Sequence, residues 1–182
     1  MYPLIDQFLK RQKKILIDEV NICPSGKVLE IGVGDGSHLP LYHSHHIMAI
    51  DISEAMLAKA KRFESETINV VLMDGENLHF GNASFDYVVI SHTIAVVNNP
   101  DKLLEQVYRV MKPGGKLFIL NHFTPDNWLK YIDRAFQPIS SLLHLRSAFY
   151  PGSINGLKKF HLLKQTELGT GTYFKLLILS KP

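Results

Sequence analysis

The sequence predicts an α/β protein: one mostly parallel sheet of seven strands, helices on both faces, and an antiparallel hairpin at the carboxyl end. Three observations predict it. From Val28 onward, short apolar runs alternate with helix-like segments, the pattern of strands joined by crossovers. The first run opens into Glu30-Ile31-Gly32-Val33-Gly34-Asp35-Gly36, and the second, Ile47-Met48-Ala49-Ile50, stops on Asp51. The last two runs are joined by Gly169-Thr170-Gly171, a turn suited to an antiparallel pair.

Strands are expected near 28–33, 47–51, 69–73, 86–91 and 115–122, followed by 160–166 and 172–180. Helices are expected near 53–63 and 100–111, where Ser53 and Asp101 stand ready to cap the first turns, and over 126–145. The amino-terminal piece, Met1 to Pro24, carries Leu4, Ile5, Phe8 and Leu9, then a basic cluster of Lys10, Arg11, Lys13 and Lys14, then Ile15, Leu16, Ile17 and Val20. That order fits a helix with an apolar stripe and a basic flank. No repeat, low-complexity segment or linker interrupts the chain, and 182 residues suit a single domain.

Composition narrows the class. Hydrophobic residues at 46% and charged residues at 20% are ordinary for a globular protein. A net charge of +3 gives no global argument for nucleic acid, so local placement of charge matters more than the total. The lone Cys23 rules out a disulfide framework and reads as a small surface or core residue. No apolar run is long enough to span a bilayer and the amino terminus lacks a signal-peptide pattern, so the cytoplasm is the expected location.

Ligands of open α/β sheets bind at the carboxyl ends of the strands. The residues just past each strand are therefore the candidates: Gly32, Gly34 and Gly36; Asp51 and Ile52; Met73, Asp74 and Gly75; Ser91, His92 and Thr93; Asn121 and His122. Glycines at alternate positions let the backbone turn tightly and lie close against a ligand. Asp51 suits a pair of ribose hydroxyls, because one carboxylate accepts both hydrogen bonds; it also directly precedes the Ser53 cap, and Asp74 could serve simply as a turn residue. The spacing is G-x-G-x-G, one residue short of the dinucleotide fingerprint, which disfavours a nicotinamide-dependent oxidoreductase.

This segment, with Glu30 two residues before the first glycine, resembles the motif of class I S-adenosylmethionine (SAM)-dependent methyltransferases, a Rossmann-like family. Asp74-Gly75 after the third run and Lys112-Pro113-Gly114-Gly115 before the fifth strengthen the likeness, which covers residues 26–123. It implies SAM as cofactor and S-adenosylhomocysteine as product. It also implies a cofactor site made of Glu30, Gly32, Gly34, Gly36, Asp51, Ile52, Met73, Asp74, Gly75 and Ser91. There the glycine loop passes under the methionine part, Asp51 holds the ribose, Asp74 contacts the adenine amino group, and Ile52 and Met73 sandwich the ring. Within one domain, 1–24 would form the helical amino-terminal segment, 26–123 the SAM-binding core, and 124–182 the acceptor-side helix and terminal strands.

No G-x-S-x-G elbow or Ser-His-Asp set stands out, and methyl transfer needs none, because a sulfonium donor is already activated. His92 and His122, at adjacent strand ends, are the candidates to receive a proton or orient a nucleophile. His38, His43, His45 and His46 crowd the segment before the second strand without Cys or paired carboxylates, so a solvated loop is expected there and no metal site.

The runs Ser91-His92-Thr93-Ile94-Ala95-Val96-Val97-Asn98-Asn99-Pro100 and Asn121-His122-Phe123 resemble the short soluble bacterial phosphatidylethanolamine N-methyltransferases. Those enzymes carry a similar I-x-V-V-x-N-P stretch after strand four and N-H after strand five. This chain departs from them in its short amino-terminal segment, where only Tyr2 and Phe8 are aromatic. The resemblance implies an aminophospholipid acceptor and a cytoplasmic protein, peripheral at the inner membrane face. An anionic membrane surface would then meet the amino-terminal basic flank. A second candidate surface is Trp128, Leu129, Tyr131, Ile132, Phe136, Ile139, Leu142 and Leu143, flanked by Lys130, Arg134 and Arg146. The alternatives are a soluble small molecule or quinone precursor as acceptor, and a SAM-binding protein without turnover.

Overall fold

The structure is a computed structural model that describes residues 3–122, 154–168 and 174–182, with side chains from Lys10 onward except that of His122. In chain order the elements are α1 (Pro3–Asn21), β1 (Lys27–Ile31), β2 (His46–Asp51), α2 (Glu54–Ala60), β3 (Ile68–Leu72), β4 (Phe85–Ser91), α3 (Pro100–Val110), β5 (Met111–His122), β6 (His161–Leu168) and β7 (Phe174–Ser180). They build the expected seven-stranded sheet, ordered β3-β2-β1-β4-β5-β7-β6. β1 runs parallel to both β2 and β4, and β7 runs antiparallel to β5 and β6. The strand order reverses between β1 and β4, which opens a crevice at their carboxyl ends.

β1 and β4 are buried at almost every position because both faces of the sheet are covered. On one face Leu103, Leu104 and Val107 of α3 pack over Leu29, Ile31 and Ile90. On the other, Leu16, Ile17 and Val20 of α1 join Val28, Val89 and Phe118, with Leu57 and Ala60 of α2 beside them. Each fully buried Leu or Ile contributes roughly 1.5–3 kcal/mol, so α1 is held as part of the core. Leu4, Ile5, Phe8 and Leu9 have side chains outside the described set. So do residues 126–145, the Trp128 group and the Gly169-Thr170-Gly171 turn in their entirety.

Several local expectations need correction. Ser53 does cap α2, its Oγ accepting the Met56 amide at 3.4 Å. Asn99, not Asp101, caps α3: its Oδ1 accepts the Lys102 amide at 3.0 Å, and Pro100 follows in the first turn. Asp101 instead accepts the Gly156 amide at 2.7 Å, tying the segment before β6 to α3. The helix expected over 53–63 ends at Ala60 and tightens into a 3-10 turn over Lys61–Phe63. β5 begins earlier than expected, because Met111 pairs with Phe85 before a bulge that contains the two glycines.

The histidine-rich segment is not a solvated loop throughout. His43 and His46 are exposed, whereas His45 is 4% exposed with its ring edge-on to Tyr87, and His38 is 6% exposed. The basic cluster also divides. Lys10, Arg11 and Lys14 are exposed, Lys14 pairing with Asp18 at 2.7 Å, while Lys13 turns inward. No described helix is long and apolar enough to cross a membrane.

Candidate cofactor and acceptor site

Gly32, Gly34 and Gly36 all sit at positive φ, between 62° and 78°. They differ in what surrounds them. A Cβ on Gly32 would overlap the side chain of Thr93, and one on Gly36 would come within 2.8 Å of Ala60. A Cβ on Gly34 would meet no atom within 4 Å. Two glycines are thus needed for packing, and the third borders open space at the carboxyl end of β1, as a ligand passing over the loop requires.

Asp51 closes β2 and faces that loop. Its Oδ2 accepts the Gly34 amide at 2.8 Å and its Oδ1 accepts the Ser53 amide at 2.9 Å. Each oxygen keeps a further lone pair, so the carboxylate is oriented by the backbone yet still able to accept hydroxyls. Asp74 has a similar double character: Oδ1 accepts the Glu76 amide at 2.8 Å in a tight turn, and the residue lines the cleft.

The cleft itself holds about 250 Å³. Ile31 and Gly32 form its floor, Asp51, Ile52, Met73, Asp74 and Gly75 one side, and Thr93, Val96, Val97 and Asn98 the other. A second hollow of about 440 Å³ shares Ile52, Met73 and Asp74 and extends past Leu72 and His79. Ile52 stands 71% exposed between the two, a large apolar side chain with an uncovered face. Gly75 has a packing reason as well, since a Cβ there would press within 2.7 Å of Ile31.

Four of the expected cofactor residues are outside the lining of this cleft, one of them Gly34, whose Cβ position is open. Gly36 packs beneath the loop, as above. The Ser91 hydroxyl is buried at the end of β4 without a hydrogen-bond partner among the described residues. Glu30, 1% exposed, directs its carboxylate to His38 Nε2 and to the Tyr42 hydroxyl, the latter at 2.8 Å. Burial pushes the Glu30 carboxyl up, but its interactions with His38 first, then with Lys13 and Tyr42, outweigh it and hold the carboxyl below its ordinary value. The same burial, with the Glu30 charge beside it, drives the Tyr42 hydroxyl well above its ordinary value.

On the other side of the crevice, His92 follows β4 with φ 57°, unusual for a residue with a Cβ. Its amide donates to the Leu120 carbonyl at 2.7 Å and its ring packs edge-on to Phe174, centroids 5.8 Å apart. His122 is the register partner of Phe174 across β5 and β7. His92 therefore packs on Phe174, and His122 lies opposite Phe174 in the strand register.

Two contributors stand outside the expected cofactor set, Thr93 having been named only as a strand-end candidate and Glu76 not at all. Thr93 fills the space over Gly32 and bonds the Ser91 carbonyl at 3.0 Å. Glu76, buried in the cleft wall, accepts the Asn99 amide at 2.9 Å and so ties the turn after β3 to the start of α3. For Thr93 the signal was its place after a strand; for Glu76 it was only adjacency to Asp74-Gly75.

The family pattern described as "Methyltransferase domain" matches residues 29–119, the stretch from β1 to β5 that carries the cleft. A phosphatidylethanolamine N-methyltransferase from Cereibacter sphaeroides is 33% identical over 159 residues, covering 84% of this chain and 78% of that protein. The chain belongs to the class I SAM-dependent methyltransferases. It is a transferase with SAM as methyl donor and S-adenosylhomocysteine as product.

A demethylmenaquinone methyltransferase from Renibacterium salmoninarum is 34% identical over 72% of this chain, which spans only 59% of that relative's length. Among solved structures, a SAM-dependent methyltransferase from Thermotoga maritima superposes with a TM-score of 0.73 at 22% identity, over 98% of this chain and 92% of its own. That likeness bears on the fold alone.

The site suits SAM on its own geometry. The space over Gly34 is clear, Asp51 keeps acceptor capacity beside it, and the hollow flanked by Ile52 and Met73 offers apolar surface to a flat ring.

Proposed function

We propose that this methyltransferase N-methylates phosphatidylethanolamine or a related aminophospholipid, as a single domain in which residues 26–123 bind SAM and 124–182 face the acceptor. The observation that carries this reading is coverage. Similarity to the phosphatidylethanolamine N-methyltransferase extends over 84% of this chain and 78% of that one, beyond the core that all methyltransferases of the class share. The stretch that resembles that subfamily also forms the cleft wall from Thr93 to Asn98.

SAM supplies an electrophilic methyl group. The chain's residues must therefore align a neutral amine with it and exclude water. Asp51 and the glycine loop fix the ribose side, Asp74, Ile52 and Met73 the adenine side, and the Thr93–Asn98 wall bounds the path of the acceptor. An aminophospholipid arrives as an ammonium and must lose a proton before attack; His92, packed on Phe174, and His122, the register partner of Phe174, are the groups assigned to receive it or to orient the amine. Exposed Lys10 and Arg11 on α1 suit an anionic membrane surface, which supports a peripheral position at the inner face.

A quinone precursor is the second reading, favoured by the 34% identity to a demethylmenaquinone methyltransferase. Incubation with methyl-labelled SAM and mixed vesicles, followed by lipid chromatography, separates the two. Label in monomethyl, dimethyl and choline lipids is expected. Label confined to a quinone or water-soluble fraction would overturn the phospholipid reading and leave the methyltransferase assignment standing.

A further inference from the structure

Glu30 belongs to the glycine-loop motif, yet its carboxylate points away from the cleft into a chain of polar groups that ends on another element. Tyr42 donates to Oε2 at 2.8 Å, His38 Nε2 meets Oε1, and Lys13 Nζ, from α1, lies 3.4 Å from His38 Nδ1. An ammonium has protons to give and no lone pair, so the Nδ1 that faces it is the acceptor. The ring proton then resides on Nε2, where it is donated to Glu30. Lys13 thereby selects the tautomer of His38 that grips Glu30.

The consequence lies in the loop. Glu30 precedes Gly32 and His38 follows Gly36, so their bond closes the loop at its base. Between those points the backbone rests on a few hydrogen bonds, among them Gly34 to Asp51 at 2.8 Å and Gly36 to the Val33 carbonyl at 3.3 Å. Glycines at three alternate positions, 32, 34 and 36, make it easy to deform. We infer that Lys13 is a positioning residue for SAM: by fixing the His38 tautomer it holds the glycine loop in its binding shape and makes α1 part of the cofactor site. Without that charge His38 can turn or change tautomer, and the cost of ordering the loop falls on binding. Lys14, its neighbour in the basic cluster, is exposed and pairs with Asp18 instead.

The test uses the full chain and S-adenosylhomocysteine. By calorimetry, Lys13→Met is expected to bind about tenfold more weakly, the loss of one charge-assisted hydrogen bond acting through the loop. Lys13→Arg should restore affinity to within about twofold, since the guanidinium also donates. Lys14→Met should bind as the wild type does. Ring-nitrogen NMR of the wild type should show His38 protonated at Nε2 and bare at Nδ1, with that signature lost in Lys13→Met. Wild-type affinity in Lys13→Met, or an Nδ1 proton on His38 in the wild type, would overturn the inference; the second reading needs no variant to fold.

Discussion

The Asp51 carboxylate and the Gly34 amide are joined by a 2.8 Å hydrogen bond, so the acid at the end of β2 orients the glycine loop at the end of β1. Asp51→Ala should therefore remove the proposed ribose acceptor and loosen the loop together. Affinity for S-adenosylhomocysteine should fall by about 1.5–3 kcal/mol. Asp51→Asn, which keeps one acceptor oxygen, should lose less. Calorimetry in which the Ala variant binds normally would refute the assignment of Asp51 to the cofactor.

Gly32 and Gly34 should separate folding from binding. At Gly34 a methyl group has open space and only the positive φ opposes it, at about 1–2 kcal/mol. Gly34→Ala should fold, with a modestly lowered Tm, and lose SAM affinity. Gly32→Ala meets Thr93 as well as the strained φ and should lower Tm further. Thermal unfolding without ligand, set beside calorimetry, checks both; equal losses of stability would contradict the distinction.

Much of this site was legible because the relevant signals are local. An acid or a glycine immediately after an apolar run is a strand-end residue whatever the rest of the fold does, and Gly32, Asp51, Asp74 and Gly75 all reach the cleft. What was not legible depends on contacts between distant segments. Glu30 reads as a site residue by position, but its direction is decided by His38 and Tyr42, which return beneath the strand. His38 and His45 look like loop residues until the sheet and α1 bury them. Asn99 and Asp101 both satisfy the rule for a helix cap, and only the approach of Gly156 settles which one caps and which one binds across.

The Glu30 carboxyl gives a pH dependence whose sign follows from its lowered pKa. It titrates below its ordinary value of 4.5 in the folded chain, so its contribution to stability is present above that value and fades as pH falls through the folded one. Glu30→Gln should destabilise the protein by roughly 1–3 kcal/mol near neutrality, because an amide presents a donor to His38 or Tyr42. The gap between wild type and variant should narrow in acid. Denaturant unfolding of both proteins at pH 7 and at about pH 3 measures it, the lower value lying below the ordinary carboxylate range. A gap that widens in acid would reverse the sign and refute the coupling.

Membrane attachment through α1 makes a prediction about salt. The protein should sediment with anionic vesicles more than with zwitterionic ones, and added salt should weaken the association within the range where the screening length falls to about 10 Å. Neutralising Lys10, Arg11 and Lys14, which are exposed, should abolish the preference without altering cofactor affinity. Indifference of the wild type to anionic vesicles at low salt would remove α1 as the docking surface and favour a soluble acceptor.

His92 offers the sharpest kinetic test, because its backbone and its ring can be separated. Its φ of 57° is a left-handed conformation that Asn adopts more readily than most residues, so His92→Asn should keep the turn after β4 while removing the imidazole. If the ring handles the acceptor's proton, kcat should fall by about 10²-fold or more. Affinity for S-adenosylhomocysteine should change little, because His92 lies across the crevice from Asp51 and Asp74 and packs on Phe174. The wild-type rate should rise with pH as the acceptor amine becomes neutral. His122→Ala, on the strand that pairs with Phe174, should likewise lower turnover more than cofactor affinity. Loss of cofactor binding in parallel with turnover would make these residues structural supports of the SAM site, and unchanged turnover in both variants would take the histidines out of the reaction.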